Sequence, residues 1–144
     1  MSNLSKILVA KIAMTVLVWC IPLLLFPVSL LQVLGFVVPE PHLFLRLLGM
    51  AYVSLVVGYA FALQSSLRGE YPRPGVWVGI VSNGGAFILL LVGAANAAWA
   101  SWGIFAQVVM WLSLAGTGAI TAGLSVFGPL ARRAAAGSND GQAA

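Results

Sequence analysis

Four apolar runs dominate the chain, set apart by short stretches of turn-forming or charged residues. A spanning helix needs about 20 mostly apolar residues to cross roughly 30 Å of hydrocarbon. On that measure the runs predict spans over about 8–30, 43–63, 75–97 and 101–127. Pro22 and Pro27 fall in the outer half of the first and predict a kink or an early exit there. Residues 28–38 remain apolar up to Pro39, so they either finish that helix or fold as a short interfacial cap. Pro41 suits the opening turn of the second span. Gln64 to Pro74, with two prolines and three charges, reads as an aqueous loop, and Ala98–Ala100 as a tight join between the last two spans.

Helical spacing then sorts residues onto faces. Gly79, Asn83, Ala86, Leu90, Gly93 and Ala97 share one face of the third span. Gly103, Gln107, Trp111, Leu114, Gly118, Thr121 and Ser125 share one of the fourth. Small residues let two backbones approach closely, which is how spans associate where lipid removes the hydrophobic drive. Both stripes are expected to point into the bundle, or equally into a dimer. The second span is expected to turn Arg46, Gly49, Val53, Val56 and Ala60 inward, with Tyr52 and Tyr59 on its flank.

Composition agrees: 61% of the 144 residues are hydrophobic and 7% charged, and the mean hydropathy is +1.03. The fold class expected is an all-α integral membrane four-helix bundle with antiparallel up-down spans. It forms one domain over 1–130, followed by a disordered tail over 131–144. The net charge of +4 does not point to nucleic acid, because the basic residues flank apolar runs and form no phosphate-binding surface. They set topology instead. Lys6, Lys11, Arg68, Arg73, Arg132 and Arg133 fall on the side of the termini and Arg46 alone on the other, so both termini are expected in the cytoplasm. Tyr71 and Trp77 would lie at the inner interface, Trp99 and Trp102 at the outer one.

Polar residues near or within the spans are few. Glu40, His42 and Arg46 cluster at the mouth of the second span, and with Tyr52, Trp102 and Gln107 they make a candidate outer polar pocket. Arg46 stands about one turn inside the boundary, where it snorkels to water and pairs with Glu40 or lipid phosphate. Gly79, Asn83, Gly93, Gly118 and Thr121 are the intramembrane packing and polar positions, with Asn83 expected to hydrogen-bond across helices. One histidine and one cysteine, Cys20, build no metal shell, so no metal is expected. Glu40, Glu70 and Asp140, the only acids, all lie outside the spans, which argues against a proton-coupled exporter. No nucleophile and base can be paired, and no catalytic residue is expected.

A span ending in Phe26-Pro27, an apolar linker to Gly35 and Pro39, and Arg46-Leu47-Leu48-Gly49 opening the next helix resemble small bacterial membrane proteins of the DoxX-like and BphX-like type. That resemblance implies a four-helix bundle in the bacterial inner membrane, with an accessory role beside oxidoreductases or catabolic systems. Only Arg46 and Gly49 carry over from it, without assigned chemistry.

The function expected is therefore a non-catalytic accessory or partner-binding subunit in the lipid bilayer, beside a membrane or oxidoreductase protein or a second copy of itself. The alternatives are a quinone-interacting redox subunit, quinone being the one cofactor considered, and a small-solute transport component.

Overall fold

The computed structural model describes residues 2–131, and every regular element among them is helical. Four helices are long and apolar enough to cross a membrane: α1 (Asn3–Leu25), α3 (Leu43–Leu67), α4 (Arg73–Ala95) and α5 (Ile104–Leu130). A short helix, α2 (Val28–Val33), lies between the first two. Of the tail expected over 131–144, Ala131 is still helical, and the rest, including Arg132 and Arg133, falls outside the described residues.

α1 begins earlier than its apolar run. Ser2 stands at the N-cap, its hydroxyl accepting from Ser5 N at 3.1 Å, so the helix takes in Lys6 and Lys11. It ends at Leu25, because Pro27 has no N–H and drives Phe26 into extended backbone at ψ 134°. Residues 28–38 thus form a cap, comprising α2 and an extended run to Pro39, and do not continue the span.

Two π-helical turns lie at Pro22 and Pro129. Over Thr15–Cys20 the helix widens ahead of Pro22, so that Ile21 N bonds back to Val16 O, and Val126–Leu130 contains Pro129. α3 runs a turn further than expected, to Leu67, and closes on Gly69 at φ +82°, with Glu70 N bonding back to Ser65 O. The join after α4 is longer than three residues: α4 stops at Ala95 and α5 starts at Ile104.

Packing pairs rise along one helix as they fall along the next. Ser5 meets Ser66, Lys11 meets Tyr59 and Trp19 meets Tyr52 between α1 and α3. Gly79 faces Leu124 and Phe87 faces Gly118 between α4 and α5; Ile7 faces Gly123 and Met14 faces Gly116 between α1 and α5. Leu4, Leu8, Ala62, Val76 and Leu124 knit all four long helices into one buried cluster at the end nearest the N-terminus. Close approach is literal there: a Cβ on Gly75 would come 2.4 Å from Ala62 Cβ, and one on Gly79 2.6 Å from Leu124 Cδ1. At the other end the cap is tied down where Gly103 N donates to Gly35 O at 2.9 Å.

The small-residue face of α4 points inward from Gly79 to Gly93 as its spacing indicates, whereas Ala97, expected on it, lies past the helix end and is exposed. α3 keeps Gly49 buried and Arg46, Val53 and Val56 half-buried, as expected, but is turned slightly toward its flank: Tyr59 and Ala62 are buried too, and Ala60 is exposed. α5 likewise buries Ala106, Ser113 and Leu124 while Trp111 stays 52% exposed. Both shifts have one cause. Between these helices aromatic and hydroxyl side chains fill the interior, which a count of small residues does not register.

Candidate functional site

Above the buried cluster the four long helices part around a cavity of about 270 Å³. α1 presents Lys11, Thr15 and Trp19 to it, α3 presents Tyr52, Leu55 and Tyr59, α4 presents Ser82, Asn83 and Leu90, and α5 presents Ser113 and Thr117. Every span contributes, so the site exists only in the assembled bundle. The widened turn at Thr15–Cys20 forms part of one wall, a position where such turns frequently serve function.

Lys11 is the residue that sets the character of this space. At about 1.5 Å of rise per residue it stands roughly 12 Å in from Asn3, and it is only 3% exposed. Its ammonium lies 4.1 Å from the centre of the Tyr59 ring, whose negative face attracts a cation. Tyr59 is itself fixed by a 2.7 Å hydrogen bond between its hydroxyl and that of Ser82, and it is 1% exposed. The Trp19 and Tyr52 rings stack with centroids 5.7 Å apart. Leu89, also on the wall, is 74% exposed, so the cavity reaches the outer surface of the bundle beside it.

Asn83 is buried and lines the cavity, but its amide bonds within its own helix, donating from Nδ2 to Gly79 O at 2.7 Å. Thr121 likewise donates to Thr117 O at 2.8 Å and rests its methyl group against Gly84. Gly79, Gly93 and Gly118 are each filled from inside the chain, by Leu124, Trp99 and Phe87. Trp99 is 5% exposed and packs edge-on to Trp111, so it is a packing residue and not an interfacial anchor.

The six residues grouped at the outer mouth take separate partners. Arg46 reaches back to α1, its Nη1 donating to Leu23 O and its Nη2 to Phe26 O at 2.7 Å. Those carbonyls lie in the last turn of α1, where the helix has no N–H groups left to pair them and where a cation also suits the macrodipole. Glu40 pairs with His42 at 3.8 Å, not with Arg46. Gln107 donates to Trp102 O at 2.8 Å and Ala100 O at 3.1 Å, closing the join between α4 and α5. Trp102 sits edge-on to Phe36 of the cap. Tyr52 alone of the six lines the interior cavity.

Lys11 is absent from the residues that sequence reasoning assembled, because its place near the N-terminus counts it as a flanking charge. Its signal was nonetheless present: Leu4, Leu8, Lys11 and Thr15 recur at helical spacing, and apolar residues flank Lys11 on both sides. Among the described residues no three His, Cys, Asp or Glu side chains come together.

These features define a class: a chain whose described residues are helical, with four helices apt to cross a membrane around a mostly apolar cavity that carries a few polar groups. Compared with protein-family models, with curated proteins and with solved structures, the chain matches none.

Proposed function

We propose that this chain is an integral membrane protein whose four spans run antiparallel, with both termini in the cytoplasm of a bacterial cell. In this reading it works as a non-catalytic binding subunit that holds a small amphipathic molecule inside the bundle. The observation that carries it is the cavity itself: about 270 Å³, walled by all four spans and headed by a buried lysine. Concave, largely apolar spaces with a few convergent polar groups are the usual form of small-molecule sites. An ionisable side chain kept inside a span costs about 2.5–3.5 kcal/mol at the bilayer centre, so its retention there marks function more often than packing. Descending pairs such as Ser5–Ser66, Lys11–Tyr59 and Trp19–Tyr52 support the antiparallel order.

An accessory role beside an oxidoreductase, as the DoxX-like resemblance implies, is compatible with this reading, the protein delivering or sensing a molecule dissolved in the bilayer. A quinone is the second ligand class considered, favoured by the stacked Trp19–Tyr52 pair in the cavity wall.

Native mass spectrometry of the full chain, extracted in gentle detergent, tests the binding role. A stoichiometric small-molecule adduct is expected on the wild type and not on Ala86→Phe, which puts a ring in place of a methyl group on the cavity wall. A wild type that never carries an adduct, or a variant that keeps it, rejects the cavity as a binding site.

A further inference from the structure

The polar groups around Lys11 have their own protons engaged. Thr15 Oγ1 donates to Lys11 O at 2.8 Å, Ser113 Oγ to Val109 O at 2.7 Å, and Thr117 Oγ1 to Ser113 O at 2.8 Å. Ser82 Oγ donates to Gly79 O at 3.3 Å and so receives the Tyr59 hydroxyl proton, and Asn83 donates to the same carbonyl. What these side chains still offer the cavity is oxygen lone pairs.

Lys11 is the opposite case. It carries three N–H donors, and among the described residues Nζ has no hydrogen-bond acceptor and no carboxylate, only the Tyr59 ring face. The two described acids lie elsewhere: Glu40 pairs with His42, and Glu70 is exposed beyond the end of α3. Trp19 and Tyr52 add an indole N–H and a hydroxyl without a hydrogen-bond partner among the described residues, and both line the same space. A cation would be repelled here. A carboxylate supplies both the acceptors and the counter-charge that Lys11 lacks, whereas a neutral acceptor supplies only the first.

Resting on the binding role set out above, we propose that the occupant is a single-chain amphiphile with a carboxylate head, its carboxylate on Lys11 Nζ and its chain leaving between Leu55 and Leu89. One ammonium matches the single charge of a carboxylate, whereas a phosphate monoester carries about −1.5 to −2 and would be left partly uncompensated. About 270 Å³ is room for the head group and the first part of one chain, the rest passing out beside Leu89. Met14, Leu55, Leu90 and Ile120 supply the apolar wall for that chain.

The test places the full chain in zwitterionic nanodiscs and titrates it with a terminally brominated medium-chain carboxylate and with the matching primary alcohol. Quenching of tryptophan fluorescence is the readout, and only the component displaced by unbrominated carboxylate is counted. The carboxylate is expected to bind at least about tenfold more tightly than the alcohol, a difference of about 1.4 kcal/mol. Lys11→Met should erase that preference and Lys11→Arg should keep it. Equal affinities in the wild type, or a preference that survives Lys11→Met, overturn the carboxylate assignment and leave the binding role standing. No displaceable quenching by either compound overturns both. Should Lys11→Met fail to fold by circular dichroism, the wild-type comparison of acid with alcohol decides alone.

Discussion

Arg46 Nη2 donates to the carbonyl oxygen of Phe26 at 2.7 Å, and Nη1 of the same guanidinium donates to Leu23 O, so a side chain of α3 closes the open end of α1. Hydrogen bonds to a charged donor are worth about 1.5–3 kcal/mol each, and carbonyls left bare in hydrocarbon are costly. Arg46→Met, which removes both hydrogen bonds, is expected to destabilise the bundle by about 3 kcal/mol or more. Arg46→Lys should recover only part of the loss, since an ammonium lacks the planar fork that reaches two carbonyls at once. Thermal unfolding in one detergent, followed by circular dichroism, checks both, and an Arg46→Met protein as stable as wild type removes the capping role.

Gly35 and Gly103 meet backbone to backbone. A Cβ on Gly35 would lie 2.4 Å from Gly103 Cα, and Gly35 adopts φ +86°, which disfavours any side chain. Gly35→Ala should lower stability by about 1–3 kcal/mol and loosen the cap. Gly58 and Gly85 lie in α3 and α4 with nothing within 4 Å of an added Cβ. Alanine at either should be neutral or stabilise by up to about 1 kcal/mol through helix propensity. The same unfolding assay ranks all three, and a Gly58→Ala loss as large as that of Gly35→Ala contradicts this packing.

Tyr59 serves two neighbours through different atoms, its ring toward Lys11 and its hydroxyl toward Ser82 at 2.7 Å. Tyr59→Phe keeps the ring and should cost about 0.5–1.5 kcal/mol. Tyr59→Leu removes the ring as well and should cost more, with a buried void besides. If the two variants unfold together, the ring contact contributes nothing measurable.

Orientation is open to direct measurement. In a Cys20→Ala background, a cysteine at Gly69 should resist a membrane-impermeant maleimide in intact cells and react only after lysis. A cysteine at Asn96 should label in intact cells. Reversed labelling would place the termini outside.

Spans, breaks and the inward stripe of α4 follow from local rules, so they are legible in the residues: apolar length, a proline without its N–H, and small side chains at helical spacing. Helix rotation was not legible for α3 and α5. Tyr52, Tyr59 and Ser113 look like flank positions when small size is the criterion, and only docking against α1 and α4 turns them inward. Lys11 looks like a flanking charge when only the apolar run is counted; the Ser2 cap starts α1 five residues ahead of that run and brings Lys11 inside the helix.

By itself the sequence determines that the described residues form helices, four of them long and apolar enough to cross a bilayer, since backbone groups in hydrocarbon must bond within their own helix. Tertiary structure alone decides that Arg46 caps α1 and that Lys11 meets Tyr59 across a shared cavity. The reason is physical. Periodicity orders residues around one helix axis, whereas partners twenty or more residues apart are chosen by how the helices pack.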